Sequence, residues 1–309
     1  MSRTRPPWLR LAPPVEEALQ QGKPVVALES TVIAHGLPQP LNLEVAERLE
    51  SIVAEEGAVP ATVGILGGEL HVGLSRSQIE RLAEGRDVAK VGLSNLAGVI
   101  ASGGDGATTV AGTMLACDLA GIEVFVTGGI GGVHPGAGES FDVSADLTAL
   151  SELRVTVVSA GAKAILDIGA TLQVLETRGV PVIGLGTDRF PAFYTPSSRW
   201  SVDHRVESIE EAAAVIRAHR ANPHSAGLIL ANPIPAEAAL PQALIDEAIA
   251  QAQAEAELRG IRGRALTPFL LGAVEIHSAS RSLDANCALL ESNARVGGHL
   301  AQVLSESDT

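Results

Sequence analysis

RVTVVSAGAKAILDIGATLQVLETRGVPVIGLGT, residues 154–187, carries the plan of the molecule in one stretch. RVTVVSA at its start and VPVIGLGT at its end are short runs of β-branched and aliphatic residues, which predict buried strands. Between them KAILDIGATLQVLETRG places Ile165, Ile168, Leu172 and Leu175 along one helical stripe. Strand, helix, strand is the repeating unit of an α/β sheet. The same rhythm runs outward in both directions, through VVAL (25–28) and IEVFVT (122–127) upstream and GLILANP (227–233) downstream. NLEVAERLESIVAEEG (42–57) predicts an amphipathic helix capped by Asn42 and ended by Gly57. Further helices are expected at SQIERLAEG, from Leu96, from Thr108, and from Ser208, where Glu211 completes an S-x-x-E box. TVGILGGELHVGL (62–74) differs: two short alternating runs around Gly67-Gly68 predict a tight hairpin, so the sheet is expected to be partly antiparallel. A strand is expected around VAKVGL (88–93), and helices over 237–259, 267–277 and 283–304. PAFYTPSSRW (191–200), with the only tyrosine, reads as an ordered surface loop.

Composition sets limits on function. The 309 residues are 46% hydrophobic but only 3% aromatic, enough for a large aliphatic core, and no low-complexity linker divides them. With 36 acidic against 22 basic side chains the net charge is −14, which argues against nucleic-acid or anionic-membrane partners. An anionic substrate would therefore need a local cationic pocket. No apolar run reaches the roughly 18 residues of a membrane span, and prolines break the N-terminal apolar residues, so a cytoplasmic protein is expected. Cys117 and Cys287 lack CxxC spacing and read as buried thiols, not as a disulfide or zinc site.

Three constellations can carry chemistry. Lysine occurs only at Lys23, Lys90 and Lys163, and an amine can add to a carbonyl carbon where a guanidinium cannot. Lys23 lies in the turn QQGKP and reads as solvated. Lys163 is expected to follow a strand and open a helix, where the helix dipole and apolar neighbours both disfavour the ammonium form. A lysine that snorkels to solvent or pairs with Asp167 fits the same residues. Lys90, inside DVAKVGL, is either a phosphate-binding point charge or half of a buried ion pair. The second constellation is the glycine-rich loop VTGGIGGVHPGAGESFDVSAD (126–146), with His134, Glu139, Asp142 and Asp146. Its glycines allow close backbone approach to a phosphate or sugar, and its carboxylates suit Mg²⁺ or Mn²⁺ better than zinc; a solvated acidic loop has the same composition. It is neither a P-loop nor a dinucleotide fingerprint. The third is ALESTVIAHGLPQP (27–40), where Glu29 ends a strand and His35 follows in a loop. Partial desolvation would fit Glu29 to act as an acid, while a capping or ion-pair role would leave the same trace. Asn286 and Asn293, seven apart, share one helical face turned either to a site or to solvent.

These segments, with GAVPATVGIL, GATTVAGTM, LILANPIP, TPFLL and SNAR in order among them, resemble the pseudouridine-5'-phosphate glycosidase family, also called indigoidine-synthase-A-like, from about residue 15 to 303. The resemblance implies a three-layer α/β/α fold with a mixed central sheet, one domain over 15–309 behind an extension at 1–14, and a homotrimer. It implies reversible cleavage of the C–C glycosidic bond of pseudouridine 5'-phosphate to uracil and ribose 5-phosphate, with Mn²⁺ or another divalent cation such as Mg²⁺. Lys163 matches the family's nucleophile, Glu29 its proton donor and Asp142 its metal ligand. Lys90, Val110 and the run Ser144, Ala145 and Asp146 match substrate-binding positions, and Thr109, His134 and Asn286 are added as candidate contacts. VGLSNL (91–96) departs from the more polar, Arg-containing segment that many members carry. A carbon leaving group needs a route other than protonation of a nitrogen. If Glu29 assists opening of the C1'–O4' bond and Lys163 bonds to C1', uracil departs protonated at C5 and water frees the sugar phosphate. Lys90 is expected on the 5'-phosphate, helped by backbone N–H groups of Thr108 to Val110 and of the glycine loop. The rival readings are a class-I aldolase, which also forms lysine imines with sugar phosphates, and a non-catalytic sugar-phosphate-binding module.

Overall fold

The structure, a computed structural model, describes residues 5–261, 266–278 and 281–306. From the N-terminus it runs β1 (Leu9–Leu11), α1 (Pro13–Gln20), β2 (Val25–Leu28), a π-helical turn (Val32–Gly36), α2 (Leu41–Glu55), β3 (Val59–Leu66), β4 (Glu69–Val72), α3 (Arg76–Glu84), β5 (Ala89–Val91), α4 (Leu96–Ala101), β6 (Gly106–Thr108) and α5 (Val110–Ala120). It continues through β7 (Val124–Val126), α6 (Ala137–Ser140), α7 (Ala145–Glu152), β8 (Thr156–Ser159), α8 (Ile168–Thr177), β9 (Val182–Leu185), β10 (His204–Val206), α9 (Ile209–Arg220), β11 (Leu228–Ala231), α10 (Gln242–Leu258), α11 (Leu266–His277) and α12 (Arg281–Ser305).

The strands form one mixed sheet in the order β1-β4-β3-β2-β7-β8-β11-β9-β10, with β6 joined to β3 and β5 to β6. Every residue of β2, β7, β8 and β11 is buried, as continuous apolar strands covered on both faces must be. One covering layer is α12, which packs on β2, β7 and β8 and against α2 and α9. The other is α5, which packs on β2, β3 and β7 with α7 beside it. This is the three-layer α/β/α arrangement. The expected hairpin is present: β3 and β4 pair antiparallel from Leu66 opposite Glu69, and Gly67 and Gly68 turn with φ of 58° and 81°. β4 alternates buried and half-buried, the mark of a strand with one open face. β1 pairs with β4, so sheet pairing already begins within residues 1–14.

Two local expectations need correction. Asn42 does not cap α2, which starts from Pro40; it lies buried inside the first turn and donates Nδ2 to the carbonyl of Ile33 at 2.9 Å. Gly57 does follow the helix end with φ of 85°. PAFYTPSSRW is not a surface loop throughout: Phe193 and Tyr194 are 4% exposed and meet edge to face with ring centroids 4.7 Å apart. Among the described residues no helix is long and apolar enough to cross a membrane. The sulfurs of Cys117 and Cys287 are free; Cys117 is buried and Cys287 partly so, and burial pushes both thiols up, Cys287 to about 11.

Candidate active site

The chain leaves β2 for β3 on one side and β7 for β8 on the other, although β2 and β7 are neighbours. At such a switch point the loops after the two strands diverge, and a crevice opens at the carboxyl ends of the strands. A cavity of about 360 Å³ lies there. Glu29, Lys90 and Lys163 line it, with Gly128 and Gly129 from the glycine loop, Phe193 and Tyr194, and His35 from the π-helical turn. Glu275 of α11 and Ser282, Asn286 and Leu290 of α12 complete the wall.

Glu29 is the residue after β2 and is buried. Thr127, the residue after β7, donates its hydroxyl to Oε1 of Glu29. The following Ser30 and Thr31 are tied to Thr108: Ser30 Oγ accepts the Thr108 amide at 2.9 Å, and Thr31 Oγ1 donates to the Thr108 carbonyl at 2.7 Å. Burial raises the Glu29 pKa and Asp146 adds to the rise, against the pull of Lys163, Thr127 and Lys90. Lys90 leaves β5 into the cavity; burial and the charge of Lys163 lower its pKa, while Glu29 and Asp146 raise it. Lys90 and Lys163 beside Glu29 supply the local positive charge that an anionic ligand would need in a chain of charge −14, with Glu275 the other carboxylate on the wall.

Lys163 lines the cavity, but from a local structure other than the one expected. It does not open a helix: α8 starts at Ile168, and Asp167 caps it, accepting the Ala170 amide at 2.9 Å, so Asp167 is spent on the cap. Lys163 sits on the loop after β8, its amide bonded to the carbonyl of Ile130 at 3.0 Å. Gly161 makes that loop possible. It has φ of 80°, and a Cβ there would lie 2.1 Å from the Pro191 carbonyl oxygen. The helix-dipole argument therefore does not apply to this amine.

The other expected residues gather beside the cavity without lining it. Asp146 is buried and accepts the Ala111 amide on Oδ1 at 2.9 Å and the Gly131 amide on Oδ2 at 2.8 Å, clamping the start of α5 to the glycine loop. Ser144 Oγ accepts the Asp146 amide as the cap of α7, and Ala145 is exposed. Thr109 caps α5 through Gly112 at 3.3 Å, and Val110 is buried. The expected backbone phosphate donors are partly committed: the Thr108 amide to Ser30 and the Thr109 amide to Val91. Within VGLSNL, Asn95 accepts the Gly92 amide at 2.9 Å and donates to the Lys90 carbonyl at 3.0 Å, fixing the turn after Lys90.

For a cation, the donor set is small. His134 is buried and its amide donates to the carbonyl of Asp142 at 3.0 Å. Burial lowers the His134 pKa, opposed by Asp142 and assisted by Lys163 and Lys90, which keeps a neutral ring beside a half-exposed carboxylate. Among the described residues no three His, Cys, Asp or Glu side chains converge. One carboxylate with an imidazole nearby fits a hard ion that keeps most of its water, and does not fit a closed protein cage. Thr127, Tyr194, Glu275 and Ser282 were not anticipated. An acid alone in the apolar run LTPFLLGAVEIH and two aromatics together in a chain so poor in them were the available signals.

The chain belongs to the indigoidine synthase A like protein family, whose sequence profile matches residues 14–303. Among its relatives, the pseudouridine-5'-phosphate glycosidase of Caldanaerobacter subterraneus subsp. tengcongensis is 51% identical over 299 residues, covering 97% of each chain. The glycosidase of the same name from Herpetosiphon aurantiacus is also 51% identical over 299 residues, 97% of this chain and 99% of that one. Among solved structures, the prealnumycin C-glycosynthase AlnA in complex with ribulose 5-phosphate superposes with a TM-score of 0.90 at 40% identity, covering 97% and 98% of the two chains. An indigoidine synthase A-like protein from Thermotoga maritima gives 0.88 at 36% identity, covering 96% and 97%.

Proposed function

We propose that this protein cleaves the C–C glycosidic bond of pseudouridine 5'-phosphate reversibly, giving uracil and ribose 5-phosphate through a covalent adduct on Lys163. The observation that carries the reading is the sharing of one cavity by an amine, Lys163, and a carboxyl, Glu29, that burial keeps protonated above the ordinary range. The names of the relatives and the sugar phosphate bound by AlnA support the same chemistry.

Glu29 gives its proton to O4' as the C1'–O4' pair moves onto that oxygen, with electrons pushed from the uracil ring. The Lys163 amine bonds to C1', and the proton it sheds returns to Glu29. Glu29 then protonates C5, and the C1'–C5 pair returns to the ring while the lysine nitrogen closes an iminium to C1'. Water releases the open aldehyde of ribose 5-phosphate and frees the amine. Lys90 is assigned to the 5'-phosphate, beside the start of α5, where its charge and the helix end act together. A divalent cation such as Mn²⁺ would be held at Asp142 with His134 beside it, and when bound it supplies positive charge that orients the sugar phosphate. Family membership is the ground for reading the protein as a homotrimer that acts on the free nucleotide in the cytoplasm.

The test is to incubate the protein with pseudouridine 5'-phosphate and Mn²⁺, follow uracil, and quench with borohydride for peptide mass mapping. Uracil release with a reduced pentose phosphate on Lys163 is expected. K163R, which keeps the charge but cannot form the adduct, should lose on the order of 10³-fold or more in kcat. Near-normal turnover by K163R ends the covalent reading, an aldolase would release no uracil, and a binding module would give no trapped adduct.

A further inference from the structure

We propose that Thr127 is a positioning residue that fixes the proton of Glu29 on the oxygen facing the cavity, and that Asn293 and Asn232 hold Thr127 in place to do so. The inference rests on Glu29 being the acid of the proposed reaction and assigns what makes it a directed one.

Four residues from four separate elements form a buried chain, one link of which runs through the Thr127 backbone carbonyl: Asn232 after β11, Asn293 on α12, Thr127 after β7 and Glu29 after β2, with exposures of 7, 0, 1 and 8%. Asn232 donates Nδ2 to Oδ1 of Asn293 at 2.9 Å. Asn293 donates Nδ2 to the carbonyl of Thr127 at 2.9 Å, and Thr127 donates its hydroxyl to Oε1 of Glu29. An amide oxygen can only accept and an amide NH₂ can only donate, so the Thr127 carbonyl holds Asn293 in one orientation, the one that offers Oδ1 to Asn232. A threonine hydroxyl has one proton to give, and here Glu29 receives it. With Oε1 accepting from Thr127, Oε2 is the oxygen left to carry the acid proton of Glu29, which lines the cavity. The proposed reaction asks Glu29 to deliver protons to O4' and then to C5, so the same oxygen must present itself each time. When Glu29 gives up its proton, the Thr127 bond strengthens, because a hydroxyl donates better to a carboxylate than to an acid. Lys163, Lys90 and Asp146 are the charged groups that act on Glu29, and Thr127 is the uncharged donor that opposes the effect of burial.

The experiment compares wild type, T127V and T127S with pseudouridine 5'-phosphate, and titrates by infrared spectroscopy the carboxyl band that is missing from E29Q. T127V should lose about 10²-fold in kcat with KM little changed, and its Glu29 band should titrate at higher pH than in wild type. T127S should stay within about threefold of wild type with an unmoved band. A T127V protein with wild-type kcat and titration overturns the proposal, as does T127S failing alongside T127V, or a loss in T127V without movement of the band. If T127V does not fold, T127A takes its place; if neither folds while T127S does, the hydroxyl is structural and the proposal falls. A wild-type protein that releases no uracil refutes the proposed function instead, and the band position in T127V still decides whether Thr127 acts on Glu29.

Discussion

Asp146→Asn distinguishes two tasks for one buried carboxylate, holding the loop or touching the ligand. The side chain is 6% exposed, and its two oxygens accept the Ala111 and Gly131 amides at 2.9 and 2.8 Å. In the asparagine one acceptor becomes an NH₂ that faces an N–H donor, so one charge-assisted bond is lost and the other becomes neutral. Bonds to a charged group contribute about 1.5–3 kcal/mol and neutral ones about 1 kcal/mol. Loss of the negative charge at the first turn of α5 adds about 0.3–1 kcal/mol. The expected destabilisation is therefore about 2–5 kcal/mol, read as a lower urea midpoint at unchanged slope. The same substitution removes a charge that raises the Glu29 pKa, so the Glu29 carboxyl should titrate lower. A variant within about 0.5 kcal/mol of wild type whose only change is in KM would refute the clamp and assign the carboxylate to the ligand.

E29Q should lose turnover and gain stability relative to wild type as pH rises. Burial raises the folded-state pKa of Glu29, so the folded protein keeps a proton that the unfolded chain releases; the stability linked to it is present at low pH and declines once pH climbs past the ordinary value of 4.5. Urea unfolding of both proteins across pH checks this, and a pH-independent difference would contradict it. G161A should be destabilised by about 1–3 kcal/mol from its left-handed backbone alone, with the Pro191 clash in addition, and should lose adduct formation because the Lys163 loop must shift. A G161A protein with wild-type melting and borohydride trapping would show that the loop tolerates the methyl group.

The alternation of buried runs and amphipathic stripes was legible because the parallel strands are apolar on both faces, and Gly67-Gly68 announced its hairpin through the positive φ it requires. What failed were boundaries set by tertiary contacts. AKAILD has helical composition, so the stripe through Ile165 was extended back to Lys163; in the fold that segment is held by Ile130 and the helix waits for Asp167. Asn42 carried the chemistry of a cap but is drawn inward by the Ile33 carbonyl. Of the candidate site, Glu29, Lys90 and Lys163 were visible as polar groups in apolar surroundings, and Asn286 through the helical face it shares with Asn293. Thr127 was invisible because a threonine at a strand's end is ordinary until the neighbouring strand places a carboxyl beside it. Asp146 shows the converse, a residue in a recognisable motif whose oxygens turn out to be spent on backbone amides.

The helix Arg281–Ser305 is translated after every strand of the sheet, yet it supplies Asn293, which grips the end of β7, and part of the cavity wall. Without that helix the wall around Glu29, Lys90 and Lys163 would lack Ser282, Asn286 and Leu290, and Thr127 would lose the amide that holds its carbonyl.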